Sequence, residues 1–320
     1  MHIPSLLRRA LLLPLLAVLA IGCVTDDSQY IDRVATPRTP ARGAQGVGVF
    51  LAGASITQHE QWLGRQMTHV GAYANKTTWA NFRKSGFKQW QGSGKQLVVG
   101  VPMLMVNEPG SLRAGAAGAY DHHFRWMAQR LVDHGQPRAI VRLGWEFNGG
   151  WFPWRADKDP KAFAAYWRRI VTAMRSVPGA QGLRFDWNPG HGPRFVPVEA
   201  YPGDAYVDVI GMDIYDRTFG DRFRDPAARW RDYLTRPYGL EWLRNFANAH
   251  GKPISFPEWG VTHKHVRGVA HDNPTFIRGM PDFIRRSNVE YHLYFNVNAH
   301  DGDFRLSTFP QSALAYRSAF

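Results

Sequence analysis

A single (β/α)8 barrel is the fold this chain predicts, and three observations predict it. Eight short strand-like runs recur through the body of the chain, at 46–53, 69–73, 96–103, 139–146, 183–187, 206–214, 253–258 and 289–297. Most of the intervals between them carry helical spacing, which gives alternating βα units and therefore a parallel sheet. No Gly-rich phosphate turn follows the first run, so a closed ring of eight strands is favoured over a doubly wound open sheet.

Taken in order, residues 1–22 read as a targeting device rather than as part of the fold. Arg8 and Arg9 form a basic region, Leu11 to Leu19 an apolar one broken by Pro14, and Ala20-Ile-Gly-Cys23 a small-residue cleavage site. The apolar stretch is shorter than the ~20 residues a spanning helix needs. Cys23 is the one cysteine in the protein, which leaves no partner for an internal disulfide. It falls where a bacterial lipoprotein signal carries its lipidated residue, so the expectation is a lipid anchor on Cys23 and a place in the cell envelope. Residues 23–44 are polar, contain Pro37 and Pro40, and suit a tether. Residues 45–320 are left for the barrel, a length such folds routinely reach.

Within the body, the run at 46–53 leads into helical spacing around Ile56 to Gln66. Between the fourth and fifth runs Asp159 can cap a helix that has Pro160 at its first position, with Phe163, Trp167, Ile170, Val171 and Met174 on its packed face. A further helix presents Leu240, Leu243, Phe246 and Ala247 and stops at Gly251. The formal net charge of +13 favours an anionic partner such as an acidic polysaccharide. The basic residues are scattered, and the one dense pair, Arg168-Arg169, lies on a helix, so no nucleic-acid partner is expected. The expectation is a monomer without cofactor.

Chemistry gathers where the runs end. The fourth ends in Trp145-Glu146, ahead of Asn148, Trp151 and Trp154, the fifth in Trp187-Asn188, and the sixth in Asp213-Ile-Tyr215. The seventh ends in Glu258-Trp259 and the eighth in Phe295, Asn296 and Asn298. In a barrel these ends share one face, the face that carries active sites. Glu146 and Glu258 should therefore meet although they are far apart in sequence. Two carboxyl groups suit glycoside hydrolysis, one donating a proton to the leaving oxygen and the other facing the anomeric carbon. Aromatic surroundings should raise the pKa of Glu146 toward that of an acid, while the tryptophans offer flat faces to sugar rings.

The segments Arg142-Leu-Gly-Trp-Glu-Phe-Asn-Gly-Gly-Trp-Phe-Pro-Trp154, Tyr201-Pro-Gly-Asp-Ala-Tyr-Val-Asp-Val-Ile-Gly-Met-Asp-Ile-Tyr215 and Pro257-Glu-Trp-Gly260, in this order, resemble glycoside hydrolase family 26 over most of the body. The resemblance implies a retaining β-glycosidase with Glu146 as acid/base and Glu258 as nucleophile, and Tyr215 hydrogen-bonding the nucleophile. Asn148, Trp151 and Trp154 would lie on the sugar-binding loop. Trp145 stands where mannanases of that family usually carry His, and the family also includes enzymes acting on β-1,3-xylan and mixed-linkage β-glucan, so the resemblance does not fix the sugar.

By strand alternation Arg142 and Asp213 sit one layer deeper than Glu146 and Tyr215. Arg142 is expected to keep Glu258 ionised and Asp213 to pair with it; a direct pairing of Arg142 with Glu146 is the structural alternative. Trp145, Asn148, Trp151, Trp154, Trp187, Asn188, Trp259 and Phe295 complete the expected substrate site. His122-His123 and the loop histidines His263, His265 and His271 lack acidic or cysteine companions at metal-site spacing, so no metal is expected. No Gly-x-Ser-x-Gly elbow supports an esterase. The other reading is a polysaccharide-binding barrel without catalysis.

Overall fold

The structure, a computed structural model, describes residues 46–51, 55–192, 195–217, 224–263 and 272–320. The expected leader, Cys23, the expected tether, His265 and His271 lie outside the described residues. No helix among the described residues is long and apolar enough to cross a membrane.

The expected barrel is present. Its strands are β1 (Gly46–Phe50), β2 (His69–Tyr73), β3 (Gln96–Val101), β4 (Ile140–Leu143), β5 (Arg184–Trp187), β6 (Val209–Gly211), β7 (Ile214–Asp216), β8 (Ile254–Val261) and β9 (Val289–Phe295). They pair in parallel from β6 through β5, β4, β3, β2 and β1 to β9 and β8. The ring closes where Ile210 of β6 meets Ile254 of β8. The barrel's sixth strand is two pieces, β6 and β7, and both pair with β8. The break at Met212-Asp213 corrects the unbroken run expected there.

Two further strand limits depart from expectation. β4 stops at Leu143, short of Glu146. Gly144 has φ +56° and Glu146 φ +52°, a left-handed geometry that ends the ladder and that a residue bearing a Cβ rarely adopts. At Gly144 a side chain would also collide with Met103, since its Cβ would lie 2.5 Å from Sδ. β8, by contrast, continues past Glu258 to Val261. Phe256 pairs with His292 and Trp259 with Tyr294, so β8 spends one extra residue there. Pro257 cannot donate to a ladder, and the resulting bulge lets a proline sit in a central strand while redirecting its neighbour Glu258.

Helices cover the outside of the ring: α1 (Ile56–Leu63), α2 (Trp79–Phe82), α3 (Leu112–Ala116), α4 (Asp121–Asp133), α5 (Pro160–Arg175), α6 (Pro226–Thr235), α7 (Leu240–Ala249), α8 (Pro274–Arg285) and α9 (Pro310–Ala319). α5 starts as its sequence dictates, the Asp159 carboxylate accepting from Ala162 N with Pro160 at the first position. Phe163, Trp167, Ile170, Val171 and Met174 are all buried on its sheet-facing side, each contributing about 2 kcal/mol of hydrophobic stabilisation. α7 buries Leu240, Leu243, Phe246 and Ala247, and the chain turns at Gly251 with φ +64°.

Candidate active site

Glu258, aimed into the mouth by the β8 bulge, is 6% exposed. Its Oε1 accepts from Arg142 Nη2 at 2.6 Å and from the Tyr73 hydroxyl, and its Oε2 accepts from the Tyr215 hydroxyl at 2.5 Å. Burial alone would raise this carboxyl. The Arg142 charge and the hydrogen bonds from Tyr215, Tyr73 and Arg142 outweigh it and hold the pKa below the ordinary value.

Arg142 is 2% exposed and is itself held from several sides. Its Nη2 donates to Asp213 Oδ2 at 2.6 Å, and its Nε and Nη2 donate to Asn188 Oδ1 at 2.8 and 2.6 Å. Its Nη1 donates to the Tyr73 oxygen at 3.2 Å. The guanidinium pairs with Glu258 and Asp213, and no ion pair joins it to Glu146 among the described residues. A cation so enclosed is costly to orphan, about 3–5 kcal/mol when one member of a buried pair is removed.

Glu146 stands beyond the end of β4, its backbone N–H bonded to Asn188 O at 2.8 Å. Its Oε2 accepts from Trp151 Nε1 at 2.8 Å. Burial first, and the negative charge of Glu258 second, push its pKa up to about 7, against smaller lowering effects from Trp151, Arg217 and Arg142. Two carboxyl groups near enough to feel each other are thus shifted in opposite directions from the ordinary carboxylate value. Proteins that need an acid and a carboxylate in one site use this separation.

The turn that carries Glu146 is pinned by Asn148. Its amide donates to Gly190 O at 2.8 Å and its carbonyl accepts from Gly190 N at 2.7 Å, tying the β4 loop to the β5 loop. Both ends of Asn148 are therefore engaged by backbone, and Asn188 is spent on Arg142 and Asp213. Both were expected to bind sugar hydroxyls; the structure uses them to position charged side chains.

Of the expected stacking residues, Trp151 is the one with a broad open face, at 51% exposure. Trp154, Trp187 and Trp259 are fully buried and belong to the core. Trp187 packs on Phe147 and Phe246, and Trp259 on Tyr294 and Tyr316, in the layer between sheet and helices. Their place near a strand end was legible, but not which face they take. Trp145 is 3% exposed, its ring 5.0 Å from Tyr73 and 4.8 Å from Trp154. It buttresses the tyrosine that serves Glu258. Phe295 is half-buried, stacked on Phe50 at 5.2 Å and edge-on to Tyr215. Asn296 accepts from Leu306 N at 2.8 Å and serves its own loop. The His263 ring lies tilted against Phe309, 4.6 Å between centroids. No group of three potential metal ligands exists among the described residues.

Tyr73 was missed by sequence reasoning. The signal was available, since β2 ends on it as the other strands end on polar or aromatic groups, yet nothing local to a tyrosine after Gly71-Ala72 announces a partner across the ring.

The fold and its unlike pair of carboxyl groups have the arrangement that glycoside hydrolysis in a barrel would need. The family model of glycosyl hydrolase family 26 matches residues 120–255 of the chain. A mannan endo-1,4-beta-mannosidase of Bifidobacterium adolescentis is 30% identical over 125 residues, 38% of this chain and 12% of that protein. Endoglucanase H of Acetivibrio thermocellus is 24% identical over 295 residues, 85% of this chain and 29% of that protein. The chain thus spans less than a third of the length of either relative. Among solved structures, the catalytic domain of the Bacillus sp. JAMB-750 GH26 endo-beta-1,4-mannanase superposes with a TM-score of 0.62 at 16% identity, covering 87% of this chain and 86% of that one.

Proposed function

We propose that the chain hydrolyses a β-linked polysaccharide with net retention, Glu146 serving as acid/base and Glu258 as nucleophile. The observation that carries this reading is the contrast in protonation: a carboxylate kept ionised by Arg142, Tyr73 and Tyr215, facing a carboxyl raised to about 7. In the first step the Glu146 proton moves to the glycosidic oxygen as the C1–O bond breaks, and a Glu258 oxygen bonds to C1. The resulting ester has no charge at Glu258, so the repulsion that raised Glu146 vanishes. Its pKa falls, and the carboxylate left after proton donation is suited to take a proton from water. That water attacks C1 and releases Glu258. The leader ending at Cys23 supports, within the same proposal, an enzyme tethered to the cell envelope by lipid.

The relatives named above as a mannosidase and an endoglucanase make β-1,4-mannan and β-1,4-glucan the first substrates to try, with β-xylan and acidic exopolysaccharides beside them. The test is the anomeric form of the first product, read by proton NMR on the substrate that is cleaved. The β-anomer is expected. An α-anomer overturns retention, and binding without release of reducing ends from any of the panel leaves a carbohydrate-binding barrel instead.

A second expectation concerns pH. Because Glu146 must be protonated and Glu258 ionised in the free enzyme, kcat/KM should fall on the alkaline side near pH 7 and on the acid side well below it. Trp151 donates to Glu146 and lowers its pKa. Trp151→Phe removes that donor and keeps a ring, so its alkaline limb should move to higher pH. A limb that stays in place or moves down would dissociate Trp151 from the acid.

A further inference from the structure

Lys76 differs from the other cations near the mouth. It is exposed, in the loop that follows β2, and its ammonium lies 5.3 Å from the Phe152 ring and 5.9 Å from the Trp145 ring. Among the described residues no carboxylate lies within ion-pair reach of it. Arg217, at the end of β7, shows the contrast: it too lies over rings, Tyr215 and Phe304, but Asp301 answers its charge at 2.9 Å. Ring faces fix a cation in place without neutralising it.

The loop that carries Lys76 is held firmly. Ala74 N bonds to Gly100 O at 2.9 Å, and Lys76 O and Thr77 O accept from Val106 N at 2.8 Å and Asn107 N at 2.9 Å. Asn75 closes the turn through Thr77 N at 2.9 Å. The acidic residue of the neighbouring loop, Glu108, accepts from Trp79 N at 2.9 Å. The ammonium is also near the chemistry. The Trp145 ring beneath it touches the Tyr73 ring at 5.0 Å, and Tyr73 donates to Glu258.

We propose that Lys76 is a substrate-binding residue that recognises a carboxylate carried by the sugar next to the one being cleaved, so that the glycan is a β-linked polymer containing uronate-type residues. This deepens the hydrolase reading and rests on it for the location of the cleft. A preset ammonium that ring faces do not neutralise loses less on binding an anion than one drawn from an existing ion pair. The excess of positive charge over the whole chain, +13, draws an anionic polymer toward the site.

The experiment compares oligosaccharides that differ only in the carboxylate: β-1,4-mannuronate hexasaccharide against β-1,4-mannohexaose, and the glucuronate hexasaccharide against cellohexaose. Each is measured for kcat/KM and for affinity by calorimetry with wild type, Lys76→Met and Lys76→Arg. In at least one pair the acidic member should be preferred. Lys76→Met should lose about tenfold on it, the scale of one charge-assisted hydrogen bond, and leave the neutral member unchanged. Lys76→Arg should restore most of the loss, and added salt should shrink the preference. Equal use of acidic and neutral members by wild type, or an equal loss on both in Lys76→Met, overturns the proposal. Absence of turnover with Lys76-dependent binding of an acidic member would sink the hydrolase reading and leave Lys76 as its ligand. If neither is bound, the Lys76 proposal fails.

Discussion

Glu258→Ala is expected to lose on the order of 10⁵-fold in kcat on the cleaved glycan while remaining folded, a loss typical of removing the attacking group in covalent catalysis. Three donors converge on this carboxylate. The first consequence of its removal is chemical, since nothing remains to bond to the anomeric carbon. The second is electrostatic. Arg142 keeps Asp213 but loses its other counterion, and removing one partner of a buried pair costs about 3 kcal/mol or more. Glu258→Gln preserves shape and part of the hydrogen bonding, so it should unfold closer to wild type yet be just as inactive. In the same variant the Glu146 titration, followed by NMR, should move down from about 7, because the Glu258 charge is one of the causes that raise it. Activity within tenfold of wild type in either variant would remove Glu258 from the nucleophile's role.

Glu146→Gln should divide substrates by their leaving group. On polysaccharide, where the departing oxygen must be protonated, the loss should be about 10²–10⁴-fold. On an aryl glycoside with a strongly acidic phenol the first step needs no proton and should proceed near the wild-type rate. Release of the sugar then lacks its base, so a burst of phenol equal to the enzyme concentration should precede a slow steady state. The alkaline limb assigned to Glu146 should disappear from what activity remains. A uniform loss on both substrate types, with no burst, would mean that Glu146 acts otherwise than by proton transfer.

Much of the architecture was legible because it depends on short-range patterns. Apolar runs such as Gln96 to Val101 alternate with helices whose caps are written locally, as Asp159-Pro160 is. Glu146, Glu258, Tyr215 and Arg142 could be singled out because a charged or phenolic group at the end of an apolar run demands a reason. What escaped was geometry set by distant partners. The left-handed turn that carries Glu146 beyond β4, at a glycine whose added Cβ would meet Met103, is something no periodicity reports. Trp154, Trp187 and Trp259 went to the core because whether a residue near a strand end faces mouth or helix layer depends on a turn or a bulge. Asn148 and Asn188 look like any polar residue on a sugar-binding loop until their partners across the loops are known.

The partners of Glu258 come from Tyr73, Arg142 and Tyr215, separated from it along the chain by 185, 116 and 43 positions. Contacts of such span form late in folding, since each must recover the entropy of a long closed loop. A chain that has built its early βα units but has not yet joined the two edges of the sheet therefore possesses neither the tuned anion nor the raised acid. Catalytic competence, on this view, is the last property the polypeptide acquires, and the return of activity during refolding would clock the moment at which the ring seals.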